Sequence, residues 1–184
     1  MPACRHTQVV CLPVHAERWC MGSPFDSLID QHRELEERFE RLASGVEPEA
    51  LREHAAELLA LLRFHSRLEE RCLYPVLARV VGRERCREQT EDHLTMRELM
   101  DELEELPPGH PEWQARLLTL EDQVVAHFQE EENALLPQLV TALDSLTLDD
   151  LRRDLSATGA ELLTRPQVSY VAGAPLLESL SWDG

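Results

Sequence analysis

Apolar residues recur along this chain at helical spacing, in stretches separated by short polar breaks. From "SPFDSLIDQHRELEERFERL" onward, Phe25, Leu28, Ile29, His32, Leu35, Phe39 and Leu42 keep a 3-4 interval, which lines one face of a helix. Ser23 before Pro24, with an acid in the first turn, is a start signal, and "SGVEPEA" breaks the pattern. A second stretch runs through Leu51, Ala55, Leu58, Leu62, His65, Glu69, Cys72 and Val76 up to Gly82, and Pro75 is expected to kink it. The third runs through Cys86, Gln89, His93, Met96, Met100 and Leu103 and ends at "LPPGHP"; the fourth runs through Trp113, Leu117, Leu120, Val124, His127, Glu131 and Leu135 to about Leu143. Four amphipathic helices with short connections predict an all-α fold, an up-down-up-down antiparallel four-helix bundle.

Residues 24–144 make up that expected bundle. An irregular leader over 1–23 precedes it, with Met21 as a second candidate start, and a C-terminal region over 145–184 follows. There a short fifth helix is expected from Leu148 to Leu163. Beyond it, Val168, Tyr170, Val171, Leu176, Leu177, Leu180 and Trp182 suit either capping the bundle or docking a protein partner.

Each of the four helices puts a histidine on its inward stripe, and two add a glutamate. His32, His65, Glu69, His93, His127 and Glu131 stand where the spacing calls for apolar side chains. Burying an unpaired carboxylate costs several kcal/mol, and these faces carry too little Lys or Arg to neutralise two of them. A bound cation would do so. His65 with Glu69, and His127 with Glu131, are one helical turn apart and point the same way, so each pair can bite one metal centre. The segments "HSRLEERCLYPVL" and "HFQEEENALLPQL" agree at the His, both Glu, a Leu, the Pro and the final Leu. This weak internal repeat relates the second helix to the fourth and implies a pseudo-twofold axis through the site. Four imidazoles and two carboxylates suit Fe, Mn or Zn rather than calcium or magnesium, and two shared carboxylates favour a dinuclear site.

Charge supports the same direction. The 184 residues include 35 acidic and 18 basic side chains, for a formal net charge of −17. That balance argues against nucleic acid and anionic membranes and favours attraction of cations. The apolar runs are too short to span a bilayer, and a cytoplasmic location is expected. Five cysteines, with no Cys-x-x-Cys, read as reduced thiols. Cys4, Cys11, Cys20, His6 and His15 match no established metal-site spacing. His54 shares a face with His65 but lies about 16 Å along the axis, and reads as a rim residue. Glu36, Glu70, Glu98 and Glu132 read as solvated charges, outer partners of the ligands or extra ligands, and Tyr74 as packing.

A single His, then His-x3-Glu, a single His, and His-x3-Glu on four successive helices resembles the hemerythrin-like, or HHE cation-binding, domains over roughly residues 24–144. The resemblance implies a non-haem di-iron centre, oxo- or hydroxo-bridged, held by His32, His65, Glu69, His93, His127 and Glu131, with Glu69 and Glu131 bridging; Mn or Zn are the lesser alternatives. The family's oxygen carriers usually show another histidine four residues after the first on the third helix, and here that residue is Arg97. The difference points away from plain oxygen storage and toward a site open at both metals that consumes peroxide, with the Arg97 cation either beside the site or in solvent. Ferritin-like Glu-x-x-His is absent, since Ile29, Leu62, Thr90 and Val124 precede the histidines by three, and no zincin motif occurs. Three readings of purpose follow: a di-iron protein acting on dioxygen, peroxide or nitric oxide, catalase-like or stress-protective; a non-catalytic iron-responsive or iron-handling module; and a structural bundle with a vestigial site.

Overall fold

A computed structural model of the chain describes residues 23–164 apart from 46 and 109, with the side chains of 48 and 49 also left aside. The leader cysteines and histidines and the apolar tail residues lie outside the described residues. Among the described residues all regular structure is helical. The first helix, α1, is Asp26–Ala43, and the Ser23 Oγ accepts the Phe25 N–H at 3.2 Å just ahead of it. The second rod starts with Pro at the first turn of α2 (Pro48–Leu68), where a missing N–H costs no hydrogen bond.

That rod does not simply kink at Pro75. It passes through a π-helical turn, Glu69–Leu73, before continuing as α3, Tyr74–Val80. Pro75 has no N–H to give, and its ring would crowd the carbonyl one α-turn back. The turn widens instead, and the Tyr74 N–H bonds the Glu69 carbonyl. Gly82, at φ +100°, then reverses the chain with a backbone conformation that suits glycine.

The third rod is α4, Arg83–Glu105, and it stops ahead of "LPP", where residues preceding proline leave the helical region. The fourth is α5 (Pro111–Glu130), a second π-helical turn (Glu131–Leu135) and α6 (Leu136–Ala142). Here the Leu136 N–H bonds the Glu131 carbonyl, just ahead of Pro137, so the repeat seen in sequence is also a repeat of backbone distortion. The fifth helix, α7, is Ser145–Thr164, a few residues longer than expected at its start, where the Asp144 carboxylate caps the Thr147 N–H at 2.7 Å. It packs on α2 and on the first π turn through Leu151 and Leu155.

Two apolar clusters fill the bundle. One joins the later part of α1, the earlier part of α2, the later part of α4 and the earlier part of α5, with Phe39, Leu58, Met100 and Leu117 among its members. The other joins the opposite ends, with Phe25, Leu77, Leu136 and Leu155. Each fully buried Leu or Phe contributes about 1.5–3 kcal/mol of transfer free energy, so the two clusters hold the rods together. Between them lies a polar layer: His32, His65, Glu69, Gln89, His93, His127 and Glu131, none more than 2% exposed. No helix among the described residues is long and apolar enough to cross a membrane.

Candidate metal centre

All six residues singled out in the sequence meet in that layer. Ligand-type atoms of His32, His65, Glu69 and Glu131 lie within 4.8 Å of one another, and so do those of Glu69, His93 and His127. Glu69 belongs to both groups. Its Oε1 faces His65 Nε2 at 3.1 Å and His32 Nε2 at 3.9 Å, while its Oε2 faces His93 Nε2 at 3.3 Å and His127 Nε2 at 3.8 Å. Glu131 spans the same gap, with Oε2 at 3.5 Å from His32 Nε2 and Oε1 at 3.6 Å from His127 Nε2. Each carboxylate therefore presents one oxygen to each histidine pair.

The outward nitrogens explain why the inward ones are available. His32 Nδ1 donates to Glu132 Oε1 at 2.8 Å, His65 Nδ1 to Gln31 Oε1 at 3.1 Å, and His93 Nδ1 to Glu70 Oε1 at 3.1 Å; His127 Nδ1 faces Asp92 at 3.8 Å. A proton held on Nδ1 leaves the Nε2 lone pair directed into the layer, as metal-binding histidines require. The Glu-Glu dipeptide of each π turn thus splits its work: Glu69 and Glu131 point inward, and Glu70 and Glu132 reach the outer face of a histidine on another rod. Neighbouring residues on a helix diverge by about 100°, which lets one pair serve both sides of an imidazole layer.

Glu70 and Glu132, which the sequence offers as solvated charges, outer partners or extra ligands, both reach the outward nitrogens of histidines. Glu36 instead pairs with Arg33, and Glu98 is exposed. Each outer carboxylate is itself held by an arginine, Glu70 by Arg97 at 2.9 Å and Glu132 by Arg33. Arg97 accordingly sits behind His93, with its charge engaged by Glu70. His54 faces Glu57 at 3.7 Å on the rim. Cys72 and Cys86 are free thiols, each raised in pKa by burial, and their sulfurs face the backbone carbonyls of Asp154 and Tyr74.

Tyr74 is more than packing. Its hydroxyl lies 2.8 Å from His93 Nε2, 3.4 Å from Nδ1 and 3.4 Å from the Gln89 carbonyl. Burial, and then the charges of Glu69, Glu131 and Glu70, push its pKa well above the ordinary value, so it remains a donor. The mismatch of Tyr74 with Leu136 in the repeat was the sequence signal for it.

Electrostatics show what the layer lacks. Burial favours a neutral Glu69, but His65, His127 and His32 outweigh it and hold that carboxyl well below its ordinary value. Burial together with the Glu69 charge pushes Glu131 well above its own. Two carboxylates this close cannot both ionise without a cation. Burial opposes charging of His127, yet Glu131, Asp92 and Glu69 bring it up to about 10, whereas burial lowers His65. Even so, His32 Nε2, His65 Nε2 and all four inward oxygens of Glu69 and Glu131 have no hydrogen-bond partner. Buried polar atoms are rarely left so, and a pair of positive ions would satisfy every one of them.

Residues 23–139 match the family model described as the hemerythrin HHE cation binding domain, and the chain belongs to that family. A protein described as a DNA nickase from Nostoc sp. (strain PCC 7120 / SAG 25.82 / UTEX 2576) is 23% identical over 134 residues, covering 73% of this chain. The chain spans only 38% of the length of that relative. No solved structure matches.

Proposed function

We propose that the chain is a non-haem di-iron protein that binds or transforms a small oxidant such as peroxide, dioxygen or nitric oxide. In this reading His32 and His65 hold one ion, His93 and His127 the other, and Glu69 and Glu131 bridge them. The carrying observation is the set of buried, unpartnered inward atoms of His32, His65, Glu69 and Glu131, in a layer where each carboxylate offers one oxygen to each histidine pair. Nitrogen and carboxylate donors in this ratio suit iron, with Mn or Zn as lesser alternatives. A pair of irons held there would pass electrons to a small oxidant and take electrons back from a reductant or from a second peroxide.

The chain's own part is to hold and shield. The outer carboxylates fix the imidazole tautomers, the bridging pair stays ionised once cations compensate it, and the apolar clusters above and below exclude bulk water. The cluster membership, with late α1 and α4 beside early α2 and α5, supports an up-down-up-down antiparallel course for the four rods. The net charge of −17 opposes a phosphate backbone, which argues against carrying the relative's nicking activity to this chain.

One observation favours an iron-responsive module as the second reading. Helix α7 rests on the π turn that carries Glu69, with Arg71 paired to Glu161 at 3.2 Å, so metal occupancy at Glu69 would be felt by an outer helix that a partner can read. Iron content and an optical spectrum of the purified protein test the centre: about two irons per chain with ligand-to-metal bands is the expected result, and one zinc without such bands contradicts it. Peroxide and nitric oxide consumption by the loaded protein then supports the first reading, and metal-dependent protection of α7 from hydrogen exchange without turnover supports the second.

A further inference from the structure

The pseudo-twofold that relates the two halves of the site is broken at matched positions. On the His93 side, Tyr74 follows Glu69 and Gln89 precedes His93 by one turn. At the same places on the His32 side stand Leu136 after Glu131 and Leu28 before His32, both fully buried. Phe128 also stacks on His32, with ring centroids 3.9 Å apart and planes 8° from parallel. One half is walled by hydrocarbon and the other carries two polar side chains.

Those two are poorly used by the protein itself. Gln89 is 0% exposed, yet neither atom of its side-chain amide has a hydrogen-bond partner. An unpaired buried amide is costly, and folding alone gives no reason to keep it. The Tyr74 hydroxyl has His93 Nε2 as its near neighbour, at 2.8 Å, and the Gln89 main-chain carbonyl oxygen at 3.4 Å. Once the Nε2 lone pair is given to a metal, that hydroxyl loses its near acceptor and is left beside the coordination sphere.

Resting on the di-iron reading above, we infer that Tyr74 and Gln89 form a subsite for a small anionic or hydrogen-bond-accepting ligand at the metal held by His93 and His127. The ligand accepts from the Tyr74 O–H, and the Gln89 amide supplies a further donor and an acceptor for a ligand that carries a proton. The His32 and His65 half offers no such group at the matched positions, so this hydrogen-bonding subsite exists on one side only.

Azide, a small anion that does not need to react, is the probe. The iron-loaded full chain is titrated with azide and followed by its charge-transfer band, with iron content measured on the same samples. Tyr74→Phe and Gln89→Met should each weaken azide binding by about tenfold, the scale of a lost hydrogen bond to an anion, with iron per chain unchanged. Metal-free Gln89→Met should also melt a few degrees higher than wild type, because it removes an unpaired buried amide at similar volume. A purely structural Gln89 would shift the melting point down instead, and that result counts against the subsite. Wild-type protein that takes up no metal overturns both the centre and the subsite. Wild-type protein that holds iron while both variants bind azide as tightly as it does overturns the subsite alone.

Discussion

The His32 and His65 half of the site and the His93 and His127 half are built from the same parts to different ends. Both use a Glu-Glu dipeptide at a proline-driven π turn, and both set an arginine behind the outer carboxylate: Arg33 behind Glu132, and Arg97 behind Glu70. They part company in what faces the imidazoles. His32 meets the flat face of Phe128, whereas His93 meets the hydroxyl of Tyr74. A ring stacked on an imidazole fixes it and keeps water away; a hydroxyl fixes it and keeps a donor in reserve. On the di-iron reading, the repeat would thus give one metal pocket walled by hydrocarbon and one with a donor for a ligand.

The largest effect should come from the shared residues, where the comparison has no meaning unless both halves depend on them. Glu69→Ala and Glu131→Ala should each abolish the dinuclear centre, since each removes an oxygen from both histidine pairs. Iron analysis showing two irons retained in either variant would break the bridging assignment. His32→Ala and His93→Ala sharpen the contrast: each should leave at most one iron per chain, and the iron left in the His93 variant should bind azide about tenfold more weakly than the iron left in the His32 variant.

Next in size are the outer carboxylates. Glu132→Gln and Glu70→Gln should each lower metal affinity by about 10-fold to 100-fold, measured by chelator competition, with the loss on the half whose imidazole they hold. Loss of affinity in neither variant would show that the Nδ1 contacts only decorate the bundle.

A smaller, graded effect is expected from pH. In the metal-free chain His127 is brought from an ordinary 6.5 up to about 10, so its contribution to stability is complete below 6.5 and disappears as pH rises through about 10. Glu131, raised above its ordinary 4.5, acts with the same sign. Glu69 and His65 are lowered, and their effects fall below their ordinary values of 4.5 and 6.5. From about pH 7 to about pH 9 the metal-free protein should therefore lose stability. Metal binding requires His127 neutral and Glu131 ionised, so affinity rises over the same range. The gap in Tm between loaded and metal-free protein should widen with pH, and calorimetry showing a constant or shrinking gap would contradict this. Least should happen on Arg97→Ala, which frees one partly exposed ion pair: a few tenths of a kcal/mol in stability and a smaller loss of metal affinity than Glu70→Gln causes.

The six inward residues were legible because helical spacing is a local property. A histidine or a glutamate on an apolar stripe is visible in any helix whose period is clear, and two i,i+4 pairs within a repeat made the set specific. The fifth helix was legible for the same reason, within a few residues. The π turns were not, although their cause is in view: Pro75 by itself predicts a kink, and the matching Pro137 marks where the distortion recurs. Gln89 was read as one more member of a stripe, because a stripe does not say whether a buried amide finds a partner.

The sequence by itself determined the helices, the polar layer and the chemistry of its donors, since these follow from the 3.6-residue period and from the cost of burying unpaired charge. Only the tertiary structure decided which oxygen of Glu69 meets which histidine, that Glu70 and Glu132 lie behind imidazoles on other rods, and that Tyr74 meets the inward nitrogen of His93 while Arg97 lies behind its outer one. Those relations join residues far apart in the chain, through distances of about 3 Å that depend on how the rods rotate against one another, and no local period carries that rotation.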